Sequence, residues 1–97
     1  MTLSIPAWSG RAAGKALARV KHEGRRRNSR CHICDGPINY DLAYPDPWSC
    51  SVQHIISRKL RPDLTWHPGN WAPAHLTCNR EAGDGTRTNP YDLGTTS

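Results

Sequence analysis

The segments CHIC, residues 31–34, and HLTC, residues 75–78, decide the fold of this chain. A Cys-x-x-Cys turn places two thiolates on one side of an ion, and residues three apart on a helical turn share a face. The two segments therefore predict one closed tetrahedral zinc site that joins distant parts of the chain. Its four ligands are Cys31, Cys34, His75 and Cys78.

The small size of the chain favours such a metal staple. It has 97 residues, of which 36% are hydrophobic, and it contains no Phe. A large apolar core is therefore excluded, and chains this small usually depend on disulfides, a metal or a partner. The sequence shows no secretory signal and no stretch of membrane-spanning length, so we expect a cytoplasmic protein with no membrane partner. In a reducing cytosol, cysteines bind metal more often than they pair.

Other uses of the cysteines stay open from the sequence alone. They could form a disulfide, a redox Cys-x-x-Cys motif or buried free thiols. A redox motif usually follows an apolar strand, whereas the basic segment 25–30 precedes this one. Cys50 could replace His75 as the fourth ligand. However, no second Cys or His lies near it at the Cys-x-x-Cys spacing of a zinc-binding turn, and we interpret Cys50 as a packed thiol.

Hydrophobic patterning predicts a small α+β fold. Ser9 could cap a helix that runs through about His22 and ends at Gly24. Alternating apolar and polar residues predict a strand within residues 48–56. A second, shorter strand is expected to pair with it. The second strand is expected at residues 70–74, the following short helix at 75–81, and a solvated basic linker at 25–30.

The four tryptophans are expected to play two different roles. Trp48, Trp66 and Trp71 are expected to belong to the small core rather than to serve as base-stacking platforms. Trp8 lies in the N-terminal segment and could pack on a partner.

Positive charge is concentrated in the first 30 residues. They hold eight Lys and Arg against one Glu, whereas residues 31–97 hold five basic against seven acidic residues. The chain thus divides into a basic helical arm (1–30), a nearly neutral module (31–84) and a flexible tail (85–97). This asymmetry predicts a polyanionic partner, with DNA favoured. The expected phosphate contacts are Arg25, Arg26, Arg27, Arg30, Arg58 and Lys59, although such charge runs are often only a solvated face.

His54 and Asn70 are the candidate catalytic residues. Phosphodiester cleavage needs an activated water, and a histidine can take its proton near neutral pH. His54 lies at the end of the predicted first strand, where a fixed backbone can aim its imidazole. The amide of Asn70 could orient His54 by bridging that strand to a nearby carbonyl. Taken alone, a strand histidine is more often structural, and Gly69-Asn70 is ordinary turn chemistry.

The flanking residues add a family resemblance. Residues 31–34, SVQHIISR at 51–58 and GNWAPAHLTCNREAG at 69–83 together resemble the HNH endonuclease family, and most closely its small zinc-containing bacteriophage members. The resemblance covers roughly residues 30–84 and implies a ββα-metal (His-Me finger) fold, in which a hairpin and a helix hold a divalent cation. It also implies His54 as general base, Asn70 as the middle signature residue and Asn79 at the third signature position, which leaves His75 to the zinc.

Two positions depart from the family pattern. Gln53 stands where the family has an acidic ligand of the catalytic cation, and Glu81 lies where a Lys is frequent. A site built from Gln53 and Asn79 carries no formal charge. Hard Mg²⁺ favours carboxylates, while Mn²⁺ or Ni²⁺ accept mixed nitrogen and oxygen ligands.

The sequence therefore predicts a metal-dependent endonuclease that hydrolyses DNA with little sequence specificity, using structural zinc and a second cation (Mg²⁺, Mn²⁺ or Ni²⁺). The alternative is a zinc-stabilised DNA-binding or terminase-associated module with weak or no cleavage, and a third hypothesis is an interaction protein whose basic helix binds an acidic partner. The resemblance implies phage genome processing or packaging beside a terminase, within the host cytoplasm.

Overall fold

The structure is a computed structural model that describes residues 6–82. It confirms a small α+β protein. The elements in chain order are α1 (Gly10–Arg27), β1 (Cys50–His54), β2 (Trp71–His75) and α2 (Leu76–Ala82). Two short 3-10 turns, Pro62–Leu64 and Pro68–Asn70, lie in the connection between the strands. The predicted tail, residues 85–97, lies outside the described residues.

The two strands form an antiparallel hairpin, with both predicted strands present. In its register Cys50 faces His75 at one end, and His54 faces Trp71 at the other. Pro73 sits in the middle of β2, where it has no N–H to donate, and a strand with one neighbour can accept it. The Pro73 carbonyl accepts a hydrogen bond from the backbone N–H of His32 at 2.9 Å, which attaches the turn of residues 31–34 to β2.

Helix α1 buries one narrow side against the hairpin. Ala16, Val20 and Gly24 are buried and are spaced four residues apart, as one face of a helix requires. Because Val20 belongs to the same core as the hairpin, the N-terminal helix and the following module share their apolar interior. The core contains Val20, Cys31, Ile38, Tyr40, Cys50, Val52, Ala74 and Cys78.

The predicted end of α1 at Gly24 is wrong. The helix continues to Arg27 and ends at Asn28, which takes a left-handed conformation with φ 53° that asparagine tolerates. Gly24 serves instead as a contact point, since a Cβ there would lie 2.4 Å from Oη of Tyr40. Residues 25–27 are consequently helical rather than a linker.

The prediction that Trp48 lies in the core is also wrong. Its side chain is 57% exposed and meets the His75 ring edge-on, with 5.2 Å between centroids. The residue sits in a turn just before β1, in which Oδ1 of Asp46 accepts from the Trp48 backbone N–H at 2.9 Å. Trp71 does pack against the core, as predicted. Within residues 6–82, no helix combines the length and the apolar character needed to cross a membrane.

Candidate metal centre and catalytic pocket

Four side chains converge between the N-terminal helix and the C-terminal end of the hairpin. Cys31 and Cys34 come from the turn that follows α1, His75 ends β2, and Cys78 lies in α2. Their ligand atoms all lie within 4.8 Å of one another. Because a zinc tetrahedron with Zn–S bonds of about 2.3 Å has edges of about 3.8 Å, the cluster fits the size of a structural zinc site. The predicted Cys₃His grouping is thus confirmed in space.

The backbone orients these ligands. The N–H of His75 donates to Sγ of Cys31 at 3.3 Å, and the N–H of Gly36 donates to Sγ of Cys34 at 3.4 Å. Nε2 of His75 donates to the Pro37 carbonyl at 2.9 Å, so Nδ1 is the nitrogen left to bind a metal. That Nδ1 lies 3.4 Å from the Cys34 sulfur and 3.7 Å from the Cys78 sulfur. The ring is therefore held in the tautomer that a metal ligand needs.

Two thiols of the cluster differ in acidity. Burial raises the pKa of Cys31, but backbone hydrogen bonds from Cys34 and His75 outweigh it and lower that pKa to about 7. Burial, the hydrogen bond to Cys34 and the charge of Cys31 raise the pKa of Cys78 to about 12. Since metals bind thiolates, Cys31 is more readily available as a ligand near neutral pH than Cys78, at which metal binding has to release a proton.

The fourth cysteine, Cys50, lies outside the cluster. It is 3% exposed, and burial raises the pKa of its thiol to about 11. Its interpretation as a packed thiol is confirmed, and all four cysteines are free of disulfides. The structure therefore favours a metal site over the disulfide alternative.

The start of α2 is fixed against the residues that precede β1. The N–H groups of Leu76 and Thr77 donate to the carbonyls of Ser49 and Pro47, both at 2.8 Å. These bonds satisfy N–H groups that the first turn of a helix leaves open. They also hold His75 and Cys78 on the same side of the hairpin end.

A pocket of about 280 Å³ lies along β1 and α2 and reaches the end of the hairpin that carries His54. The pocket brings together His54, Gln53 and Asn79, the predicted base and the two predicted cation ligands. It also contains Arg58, one of the predicted phosphate contacts. The lining residues are Trp8, Tyr44, Ser51, Val52, Gln53, His54, Arg58, Leu76 and Asn79.

The orientation of His54 depends on a main-chain group. Nε2 of His54 donates to the carbonyl of Thr65 at 2.9 Å, and Nε1 of Trp71 donates to the same carbonyl at 2.9 Å. A carbonyl can only accept, so Nε2 carries the proton and Nδ1 is the basic nitrogen of the neutral ring. Sequence reasoning missed Thr65, because a backbone acceptor leaves no signature in residue type.

Asn70 closes the connection between the strands. It is 4% exposed, and its Oδ1 accepts from the N–H of Ile56 at 2.8 Å. Its Nδ2 donates to the carbonyls of Ile56 at 3.0 Å and Leu64 at 3.5 Å. The amide therefore bridges the end of the His54 strand to the segment that carries Thr65.

Trp8 packs inside its own chain, contrary to the expectation that it meets a partner. Its ring lies edge-on to His54, with 4.6 Å between centroids, and stacks on Trp66 at 4.4 Å. The adjacent Pro6 carbonyl accepts from Nη1 of Arg58 at 3.2 Å. The segment before α1 thus covers one side of the histidine pocket.

The two predicted cation ligands direct their amide nitrogens to β1. Nε2 of Gln53 donates to the His54 carbonyl at 3.1 Å, and Nδ2 of Asn79 donates to the Val52 carbonyl at 2.8 Å. Each side chain therefore has its amide oxygen left for a ligand. Among the described residues, the buried Oε1 of Gln53 finds no hydrogen-bond donor. An orphaned oxygen of this kind fits a hard cation, although neither ligand supplies charge.

Three of the predicted phosphate contacts, Arg25, Arg26 and Arg27, form exposed ion pairs within the chain. Arg25 donates to Asp41 at 2.8 Å, while Arg26 and Arg27 lie 2.7 and 3.5 Å from Glu23. Arg30 donates to the Asp35 carbonyl at 3.1 Å, and Lys59 is exposed. Exposed ion pairs contribute little to stability, so a polyanion could compete for these side chains. Their role in DNA binding stays a prediction.

Comparison of the chain with family models, curated proteins and solved structures gives no match.

Proposed function

We propose that this chain is a metal-dependent endonuclease of the HNH type, which hydrolyses DNA phosphodiester bonds with little sequence specificity. The observation that carries the proposal is the meeting of His54, Gln53 and Asn79 in one pocket, which runs from the His54 end of the hairpin to α2. In this proposal β1, β2 and α2 form a ββα-metal unit, and zinc in the Cys₃His cluster supports its fold. A phage terminase as partner and the host cytoplasm as location rest on the resemblance alone.

His54 is the general base of the proposed reaction. The Thr65 carbonyl keeps the proton on Nε2, so Nδ1 can take the proton of an attacking water. The same carbonyl stabilises the imidazolium that results, because Nε2–H remains its donor in both states. Asn70 holds the loop that brings this carbonyl to the ring. Arg58 lines the pocket and is the side chain best placed to contact a phosphate there.

The amide oxygens of Gln53 and Asn79 would hold the catalytic cation. When bound, a divalent cation there supplies positive charge for the phosphate and for the leaving oxygen. Because both ligands are neutral, the site should be weak for Mg²⁺ and comparatively better for Mn²⁺ or Ni²⁺.

The proposal is tested with supercoiled plasmid and the zinc-loaded protein, in the presence of Mg²⁺, Mn²⁺ or Ni²⁺. We expect the wild type to nick the plasmid and His54→Ala to lose about 10²–10⁴-fold of that activity. His22→Ala is the matched control, since His22 is exposed on α1, outside the pocket and the Cys₃His cluster, and the substitution should leave the rate unchanged. Equal loss in both variants, or no nicking with any cation, rejects the nuclease.

Gln53→Glu tests the cation site directly. The substitution preserves length and adds a negative charge beside His54, so the Mg²⁺ concentration needed for half-maximal nicking should fall. An unchanged Mg²⁺ requirement would show that residue 53 is not a ligand.

The second candidate function is DNA binding without cleavage. None of the described residues that line the pocket is a carboxylate, which favours this alternative. Binding of duplex DNA by the wild type, together with an intact plasmid under all three cations, would select it.

A further inference from the structure

A second concave surface lies between α1 and the β2 side of the hairpin. This groove has a volume of about 430 Å³. Arg19, Arg26 and Arg27 line it from α1. Pro68, Trp71 and Pro73 line it from the opposite side. We propose that the groove binds the sugar-phosphate backbone of duplex DNA next to the bond that is cut, and the choice of DNA rests on the proposed function.

The charge of the groove suits an anionic ligand. Among residues 6–82, Arg19 forms no ion pair, so its guanidinium can meet a phosphate without losing a partner. Arg26 and Arg27 share Glu23, whose pKa is lowered mainly by its hydrogen bond from Arg26. That carboxylate also lines the groove and would repel a phosphate. The pairs are exposed and therefore weak enough for a phosphate to displace them.

The spacing of the arginines suits a nucleic-acid strand. Arg19 and Arg26 are seven residues apart in one helix, so they stand about 10.5 Å apart along its axis. A strand of B-DNA carries one phosphate per about 3.4 Å of helix axis, so the separation of the two arginines exceeds the axial spacing of neighbouring phosphates. The two side chains can therefore hold separate phosphates of one backbone.

Trp71 connects this groove to the histidine pocket. It lines the groove and is the cross-strand partner of His54 in the hairpin. Residues directly opposite in an antiparallel pair point to the same face, with Cβ atoms about 4.5–5.5 Å apart. A strand that follows the groove past Trp71 therefore arrives beside His54.

The binding test uses a fluorescently labelled DNA duplex, the zinc-loaded protein and no added divalent cation, so that cleavage does not intervene. Arg19→Gln should lower the log–log salt slope of binding by about 0.9, which corresponds to about eightfold weaker binding at 0.1 M salt. Arg11→Gln is the matched control, since Arg11 is exposed on the same helix outside the groove. It should change the affinity much less.

Glu23→Gln provides a test of opposite sign. Removal of the carboxylate from the groove should tighten duplex binding. Unchanged or weaker binding by this variant, or an equal loss in Arg11→Gln and Arg19→Gln, would overturn the groove. Stronger binding of a poly-glutamate peptide than of the duplex would also overturn it, in favour of an acidic protein partner.

The binding and nicking assays together distinguish failure of the groove proposal from failure of the nuclease proposal. Plasmid nicking combined with unchanged duplex affinity of Arg19→Gln rejects the groove and retains the enzyme. A selective loss of affinity without any nicking retains the groove as a DNA-binding surface and rejects the enzyme.

Discussion

The two ends of the hairpin are built by different means. At the Cys50–His75 end, four side chains converge from a turn, a strand and a helix, and a single ion can join them. At the His54–Trp71 end, the imidazole is held by a backbone carbonyl from a 16-residue connection and by a tryptophan that precedes α1. The first end depends on residue type, whereas the second depends on the path of the chain. Substitutions should therefore affect the two ends separately.

The largest effect is expected from loss of the Cys₃His cluster. Structural zinc contributes about 10–16 kcal/mol in small zinc-binding domains, which matches or exceeds the whole stability of a typical domain. Cys78→Ala should lose its zinc and unfold, with collapse of the far-UV circular dichroism spectrum. Cys50→Ala removes a buried thiol outside the cluster and should keep one zinc per chain. A folded, zinc-free Cys78→Ala protein would show that the ion does not support the fold.

The next largest effect is expected on the nicking rate, and it is compared between one tryptophan from each end of the hairpin. Trp8→Ala removes the ring that packs on His54, and a misplaced base can cost up to about 10²-fold in rate. Trp48→Ala removes an exposed ring beside His75 and should leave the rate unchanged. Plasmid nicking measures both, with zinc content as the check on folding. Equal rates in the two variants would mean that Trp8 does not position the base.

A substitution of Asn70 tests whether the His54–Trp71 end of the hairpin can loosen while the Cys50–His75 end stays intact. Asn70→Ala removes the partners of the Ile56 N–H and carbonyl, at a cost of about 1–3 kcal/mol for each group left unsatisfied. We expect a lower thermal midpoint and slower nicking, with one zinc retained. Asn39→Ala, at an exposed asparagine, is the control. Loss of zinc from Asn70→Ala would show that the two ends are coupled.

The smallest effects concern α1, which packs against both strands of the hairpin. Gly24→Ala pushes a methyl group into the Tyr40 ring and should destabilise the fold by about 1–3 kcal/mol. Gly14→Ala meets open space within the same helix and should stabilise it by about 0.5–1 kcal/mol. Denaturant midpoints give the sign of each change. A neutral Gly24→Ala would mean that Tyr40 moves aside without cost.

The sequence was sufficient for the Cys₃His cluster and for the order of the elements. Cys31, Cys34, His75 and Cys78 could be grouped because ligand spacing is a local property of the chain. The end of α1 was misjudged, because a glycine that usually ends a helix is here required by the tertiary contact with Tyr40. The assignment of Trp48 to the core failed for a related reason, since burial depends on which way a turn points.

The His54–Trp71 end of the hairpin was predictable only in part. The meeting of His54, Gln53 and Asn79 in one pocket follows from strand and helix positions, while their roles stay predictions. The Thr65 carbonyl and the Trp8 ring could not be found, because both depend on how non-repetitive segments fold back. The place of Arg19 in the groove was also not predictable, because it depends on which helical face packs against the hairpin rather than on a run of basic residues such as 25–27.

The Thr65 carbonyl has one further consequence, for natural variation. Every amino acid supplies the same acceptor, so replacement of Thr65 by another small residue need not alter the aim of the imidazole. Insertion or deletion of a residue between Ser57 and Gly69 would shift the acceptor itself, and with it the ring. Related chains that keep this arrangement should therefore vary in composition here while their lengths stay constant.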